Sequence, residues 1–295
     1  MQLIEGERAQ ETYRYLRIGL MGSAVLLVAA VILERLQVDC WQGSISAYYY
    51  TPARAVFVGT LVAVGLSLIV IKGTGAEDVC LNIAGMLAPV VAFVPTRNVG
   101  ACFSIPPEPS PVRILDDPAG TEVLADWVIA NVANNMWALI ITGVLGLALS
   151  YILLAIKEGP VEALRVDEAG AVTRRSLLVA GAIIAVTALA LWLWDGFAAQ
   201  AHNFAAVGMF AFLAAASAIN AWRERSGPYF WAYAGVAVLM VASAAIILGA
   251  AAWLGDRWDH SVLVLEAVEI ALFALYWATQ TKEHWTERVT PSPAR

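Results

Sequence analysis

Long apolar runs separated by short polar segments dominate the chain. Eight of them approach the roughly 20 residues that a helix needs to cross a bilayer. Their approximate limits are 15–35, 54–72, 79–96, 127–156, 176–197, 202–222, 229–254 and 261–281. Because helices satisfy their own backbone hydrogen bonds in lipid, the pattern predicts an all-α, polytopic transmembrane bundle of about eight helices. We expect residues 1–295 to form a single integral membrane domain without a soluble domain.

Charge in the connecting segments predicts the orientation. The count of helices matters here, because Pro89 and Pro95 interrupt the third run. If that run were not a helix, every later helix would cross the membrane in the opposite direction. Cytoplasmic loops carry an excess of lysine and arginine. With the N-terminus inside, five of the 18 basic residues fall in outer segments, namely Arg35, Arg54, Arg97, Arg113 and Arg257. This bias favours an even number of spans, with both termini cytoplasmic, in the cell membrane.

Composition supports the membrane class and narrows the partners. Hydrophobic residues make up 60% of the chain and charged residues 14%, with a mean hydropathy of +0.70. About a quarter of an ordinary soluble domain is charged. The net charge of -6 and the scattered basic residues argue against nucleic-acid binding, which needs a basic face. The expected partners are membrane lipids and a lipid-like or small-molecule substrate.

Two cysteines fall in the first two predicted outer loops. Cys40 follows the first helix, and Cys102 lies in the proline-rich segment 97–126, the longest outer connection. A disulfide between them is plausible in an oxidising compartment, and two free thiols are the alternative. Cys80, near the inner end of the third helix, is expected to be a packing residue.

Polar side chains inside the apolar runs are the candidates for function. Glu266 and Glu269 share one face of the eighth helix, which predicts that both point into the bundle. A charged group at such depth costs about 2.5–3.5 kcal/mol on insertion scales, so intramembrane acids are functional candidates. Asn131 and Asn134 recur one turn apart in the fourth helix. Their amides can either bind a ligand or hold neighbouring helices together.

Helix counting places these candidates at one depth. Asn131, Asn134 and His202 fall in the outer half of the predicted bundle, and His260 opens the eighth helix beside the two glutamates. The segment SISAYYYTPAR, residues 44–54, approaches from the same side. We therefore expect it to form one wall of an outward-facing polar cavity, with its tyrosines at the level of the lipid headgroups.

Several roles follow from this set of side chains. His202, His260 and one glutamate could hold a catalytic zinc ion, which commonly takes three protein ligands and a water. Without a metal, Glu266 or Glu269 could act as a general base or as a proton-coupling carboxylate. If the protein is an enzyme, we expect Ser46, Glu266 and Glu269 to be its catalytic residues. The residues expected to bind the polar part of a substrate are then Asn131, Asn134, Tyr48 and Arg54. An ion pair between Arg54 and either glutamate is the structural alternative.

Four fragments carry a resemblance to known families. They are SISAYYY before the second helix, the ED pair before the third, AHNFAAVGMF in the sixth and EAVEIALFALYWATQTKEHW in the eighth. They resemble uncharacterised actinobacterial multipass proteins and, more distantly, the CREST superfamily of alkaline ceramidases and heptahelical receptors. That resemblance implies metal-dependent lipid hydrolysis within the membrane. By position, Ser46 matches the serine of that family and His202 one of its histidines, but nothing here matches its paired late-helix histidines.

Three functions remain open on the sequence. The first is a membrane-embedded hydrolase of a lipid amide or ester, possible with or without zinc. The second is a proton- or cation-coupled secondary transporter that uses the glutamates. The third is a non-catalytic membrane subunit or scaffold, in which small-residue faces such as that of Gly143 and Gly146 pack against other helices.

Overall fold

The computed structural model describes residues 2–73, 75–100, 102–116, 121–159 and 171–285. Within these ranges the chain forms eight α-helices and one small hairpin. The helices are α1 (Gln2–Val38), α2 (Arg54–Val70), α3 (Ala76–Phe93), α4 (Asp126–Glu158), α5 (Ala171–Leu193), α6 (Phe197–Arg223), α7 (Phe230–Leu254) and α8 (Ser261–Glu283). The hairpin strands are β1 (Val112–Ile114) and β2 (Glu122–Leu124). The prediction of an all-α polytopic bundle is confirmed.

Seven of the eight helices are long and apolar enough to cross a membrane. The exception is α2, which has 17 residues and is therefore about 25 Å long. It is short because residues 44–51, which precede it, are buried within the protein and fill the space that a longer α2 would occupy. The predicted eight-helix count therefore holds, with one helix that begins below the outer surface.

Six helices close into a ring. Contacts run in the cyclic order α1, α2, α3, α6, α7, α8 and back to α1. The pair α4 and α5 packs outside this ring, mainly against α3. Because α3 packs extensively on α6, the two halves of the chain share one interior. Another contact links α1 to the residues just after α8. Arg14 donates to the carbonyl of Trp285, and its guanidinium carbon lies 5.1 Å from the centre of the Trp285 side-chain ring.

A close backbone contact in the ring joins α2 to α3. A Cβ on Gly65 would lie 2.6 Å from the Gly85 carbonyl oxygen and 2.8 Å from Cδ of Pro89. Glycine at both positions lets the backbones approach, as small residues do in membrane helix pairs. Pro89 lies inside α3 without ending it, because neighbouring helices support a membrane helix at such a residue.

The outer end carries a cap that ties α1 to the segment between α3 and α4. Here "outer end" means the end that holds residues 97–126, as the charge distribution orients the chain. Cys40 and Cys102 are joined by a disulfide, and the Gln42 side chain bonds both the N–H and the carbonyl of Cys102. Buried Glu34 accepts from the Ser104 hydroxyl at 2.6 Å. These contacts fix the path of the chain as it leaves α1.

Candidate functional site

The segment 44–51 re-enters the bundle after α1 and brings polar groups below its outer surface. Ser46–Tyr50 form a short 3-10 helix in which every residue is buried. Its entry is anchored on α8, because the Leu263 N–H donates to the Gly43 carbonyl at 2.9 Å. A Cβ on Gly43 would lie 3.2 Å from the Asp259 carbonyl oxygen, so this approach favours glycine. The result is a serine held inside the ring.

Two side chains from distant parts of the chain meet at this serine. The Ser46 hydroxyl lies 2.6 Å from Oε1 of Glu266 and 2.9 Å from Nε2 of His202. The second carboxylate oxygen of Glu266 accepts from the backbone N–H groups of Ile45, at 2.5 Å, and Ser46, at 3.3 Å. Ser46 and His202 are both buried. We call Ser46, His202 and Glu266 the outer cluster.

The end of α3 sets the orientation of the imidazole. The last carbonyl groups of a helix have no partners within it, and Pro95, which follows Val94, has no N–H to continue the helix. The Val94 carbonyl lies 2.6 Å from Nδ1 of His202. Because a carbonyl can only accept, Nδ1 carries a proton and Nε2 faces the Ser46 hydroxyl.

Counting protons shows that the outer cluster holds one more than the serine supplies. The contacts from the Ser46 oxygen to His202 and to Glu266 each need a hydrogen, and the hydroxyl has only one. The second hydrogen therefore belongs either to Nε2 of His202 or to the carboxyl group of Glu266. The serine lies between these two sites, so a shift of its own proton exchanges them. Such an arrangement can accept and return a proton during a reaction.

A narrow apolar cavity of about 70 Å³ adjoins the outer cluster inside the ring. Ser46 and Glu266 contribute to its wall. Most of the remaining wall is hydrophobic, and it includes Leu27, Phe57, Val64, Met209, Leu213 and Phe273. The cavity thus places a reactive hydroxyl beside a space suited to an apolar group.

Glu269, the other predicted intramembrane acid, lies apart from the outer cluster. It is buried against α7, where Ser243 donates to its Oε1 at 2.9 Å. Its Oε2 has no hydrogen-bond partner within the described part of the chain. The two glutamates therefore occupy the same helix face but have different neighbours.

Four predicted substrate-binding residues do not join Ser46 as expected. Asn131 and Asn134 are exposed on α4, so they do not face the buried hydroxyl of Ser46. Tyr48 is 1% exposed and packs in the protein core, and its depth relative to the lipid headgroups stays a prediction. Arg54 is exposed, donates to the Tyr49 hydroxyl at 2.7 Å and stacks over that ring. The alternative ion pair between Arg54 and a glutamate is therefore not seen.

The donor groups present do not fit a zinc ion. No group of three or more His, Cys, Asp or Glu side chains is placed to share a metal among the residues that the structure describes. Both ring nitrogens of His202 are engaged by Val94 and Ser46. His260 is the exposed N-cap of α8.

Sequence reasoning missed a second polar cluster at the inner end. Glu77 accepts hydrogen bonds from four side chains of α6 and α8, those of Asn220, Arg223, Tyr276 and Gln280. The third run was predicted to begin at 79, which left Glu77 in a loop. The helix begins at Ala76, and an acidic residue just before an apolar run is a known signal of a helix start.

Comparisons of the chain with protein-family models, with curated proteins and with solved structures found no match in any of the three. The function is therefore argued from the site itself.

Proposed function

We propose that the protein is a membrane-embedded hydrolase that cleaves a lipid ester or amide, with Ser46 as the nucleophile. One observation carries the proposal: the Ser46 hydroxyl lies within hydrogen-bond distance of both His202 and Glu266, beside an apolar cavity. An activated nucleophile is recognised by a base within reach and a third group that orients the base. Here the Val94 carbonyl orients His202.

The reaction divides into two steps with all protons accounted for. The Ser46 oxygen attacks the acyl carbon, and its proton passes to whichever of His202 or Glu266 is unprotonated. Nε2 of His202 and the carboxyl group of Glu266 now hold two protons, and one of them goes to the leaving alcohol or amine. That group departs and leaves an acyl-serine. Water attacks the acyl-serine, gives one proton back to the cluster and releases the fatty acid. The apolar cavity supports a substrate with a hydrocarbon part.

Covalent labelling of the serine tests this proposal. Detergent-purified protein is treated with a fluorophosphonate, a reagent that reacts with activated serines, and intact mass is measured. We expect one adduct per chain, located on Ser46 by peptide mapping, and none in Ser46→Ala. Loss of a general base typically costs about 10²- to 10⁴-fold in rate, so His202→Gln should react at least a hundred times more slowly.

Ser23→Ala is the matched control. Ser23 lines the same cavity, but its hydroxyl donates to the Gly19 carbonyl at 2.9 Å and has no hydrogen bond to a histidine or a carboxylate among the described residues. This variant should be labelled at the wild-type rate. An unreactive wild-type protein, or a Ser46→Ala variant labelled as fast as wild type, would contradict the proposed nucleophile.

A proton-coupled transporter is the second candidate, and Glu269 favours it. This buried carboxylate, eight residues into α8, has one oxygen without a partner within the described residues, and intramembrane acids of this kind occur in proton relays. If the protein is a transporter, vesicles carrying a pH gradient should show substrate-dependent proton flux, and Glu269→Gln should abolish it. If the protein is a hydrolase, the fluorophosphonate should still label Ser46 in Glu269→Gln and should react far more slowly with Glu266→Gln. The two variants thus separate the candidates.

A further inference from the structure

A long groove lies between the α2–α3 pair and the α4–α5 pair, away from the outer cluster. Its volume is about 700 Å³. On α4 its wall runs from Leu139 to Lys157, about 27 Å at 1.5 Å per residue. That is more than the roughly 15 Å of hydrocarbon in one leaflet. Most of the wall is apolar, with Leu66, Ile69, Met86, Leu147, Leu153 and Ile183 among its residues.

The inner end of the groove is polar and positively charged. Lys72 and Lys157 both contribute to the wall, at the ends of α2 and α4. Asp78 lies 3.8 Å from Nζ of Lys72 and accepts hydrogen bonds from Asn82 and Ser176. Two lysines against one aspartate leave an excess of one positive charge among these groups. An anionic group is favoured there.

A buried amide at the same end lacks a donor. Asn82 lines the groove and is 8% exposed. Its Nδ2 donates to Asp78 at 2.9 Å and to Ser176 at 3.2 Å, whereas its Oδ1 has no partner within the described part of the chain. Buried carbonyl oxygens normally accept a hydrogen bond. A ligand that donates one would complete the site.

We propose that this groove binds one anionic phospholipid whose headgroup carries a hydroxyl, of the phosphatidylglycerol type. The acyl chains lie along the apolar wall, the phosphate lies near Lys72 and Lys157, and a headgroup hydroxyl donates to Oδ1 of Asn82. The lipid also provides packing for α5, because none of its residues from 175 to 193 is buried by the rest of the protein. A lipid bound here joins the α4–α5 pair to the ring.

The groove can be filled without disturbing a contact. Gly146 lies in its wall, and a Cβ there would meet no atom within 4 Å. Gly146→Phe should therefore occupy the space of an acyl chain. Gly235 on α7 is equally open but lies outside the groove, so Gly235→Phe is the matched control. For the headgroup, Lys157→Gln is paired with Lys282→Gln, an exposed lysine in the last turn of α8.

Native mass spectrometry of the full chain, delipidated in detergent and titrated with phosphatidylglycerol, tests the proposal. We expect one tightly bound lipid, with at least tenfold preference over phosphatidylcholine. Gly146→Phe should weaken binding at least tenfold and Lys157→Gln about fivefold, whereas both controls should stay within twofold of wild type. If Gly146→Phe does not fold, the lysine pair still decides the matter.

Three outcomes would overturn the proposal. Equal affinity for phosphatidylglycerol and phosphatidylcholine would indicate unselective lipid contact. Tighter binding of phosphatidylethanolamine would show that a zwitterionic headgroup is preferred. Unchanged binding by Gly146→Phe and Lys157→Gln would place the lipid elsewhere. Labelling of Ser46 reports on the outer cluster, so either proposal can fail while the other stands.

Discussion

At the scale of single residues, Glu77 illustrates how a carboxylate is kept inside this bundle. Nδ2 of Asn220 lies 2.9 Å from Oε1 of Glu77 and Nε2 of Gln280 lies 2.8 Å from it, while Arg223 reaches the other oxygen at 3.2 Å. A buried charge is tolerated when it is paired and hydrogen-bonded. Together these contacts hold the inner ends of α3, α6 and α8 to one another.

Glu77→Ala should therefore destabilise the protein strongly. It leaves the buried amides of Asn220 and Gln280 without their acceptor, and each buried group left unsatisfied costs about 1–3 kcal/mol. Arg223 is half exposed, so water can solvate its charge. The measurement is thermal unfolding in detergent. Asp126→Ala is the control, because Asp126 pairs with Arg113 at an exposed site and such pairs contribute about 0–1 kcal/mol. Equal losses of thermal stability in the two variants would mean that the hydrogen bonds to Glu77 do not stabilise the protein.

The positions of the candidate residues were only partly predictable from the sequence. Counting along predicted helices gives the depth of a side chain, and depth correctly suggested that Ser46, His202 and Glu266 lie near one another. Counting does not show which way a helix faces. That direction depends on packing, and α4 has so few neighbours within the protein that Asn131 and Asn134 remain on its exposed side.

At the scale of elements, the contact between α2 and α3 limits what side chains can stand there. Gly65 and Gly85 each face the other's carbonyl oxygen, so a methyl group at either position would overlap backbone. The backbone cannot give way as a flexible side chain can. The sequence revealed the two helices, but a pair of glycines in different runs does not show that they meet.

Gly65→Ala should therefore cost about 1–3 kcal/mol, the usual price of overpacking. Gly59→Ala, in the same helix at a site with nothing within 4 Å, should leave stability unchanged or slightly improved. Thermal unfolding of the two variants in the same detergent makes the comparison. A Gly65→Ala protein as stable as Gly59→Ala would show that α2 and α3 are farther apart than described.

Helix limits followed the hydrophobic pattern to within a few residues, except that α1 begins at Gln2 and not near residue 15. The hydrophobic pattern did not reveal that the re-entrant segment is buried. The predicted second run, 54–72, begins where α2 begins. Nothing in the alternation of SISAYYYTPAR distinguishes a surface loop from a buried one, because tyrosine and serine suit both. Its burial depends on long-range contacts with α6 and α8, and such contacts leave no local pattern.

At the scale of the whole molecule, the N-terminal half of α1 lies beside the last described residues, as the contact between Arg14 and Trp285 shows. The excess of basic residues at that end predicts that it faces the cytoplasm. Orientation bears on both proposals, because it decides which leaflet could supply a lipid substrate to Ser46. In the predicted orientation, the lysine-bearing end of the groove between α2–α3 and α4–α5 lies at the inner leaflet.

Cysteine labelling in intact cells measures this orientation. In a Cys80→Ala background, Ser110→Cys should react with an impermeant maleimide, since Ser110 is exposed in the outer cap. Ser226→Cys, exposed in the turn between α6 and α7, should react only after the cells are opened. The reverse pattern would invert the orientation and place the outer cluster towards the cytoplasm.

The outer cluster also has a consequence for biosynthesis. Its hydrogen bonds join residues 156 and 220 positions apart in the chain, and Glu266 lies in α8, the last of the described helices. Until α8 is inserted, Ser46 and His202 are in the bilayer without their carboxylate. A nascent chain halted before α8 therefore lacks the Glu266 contact to Ser46, so the outer cluster can form only after α8 has been made and inserted.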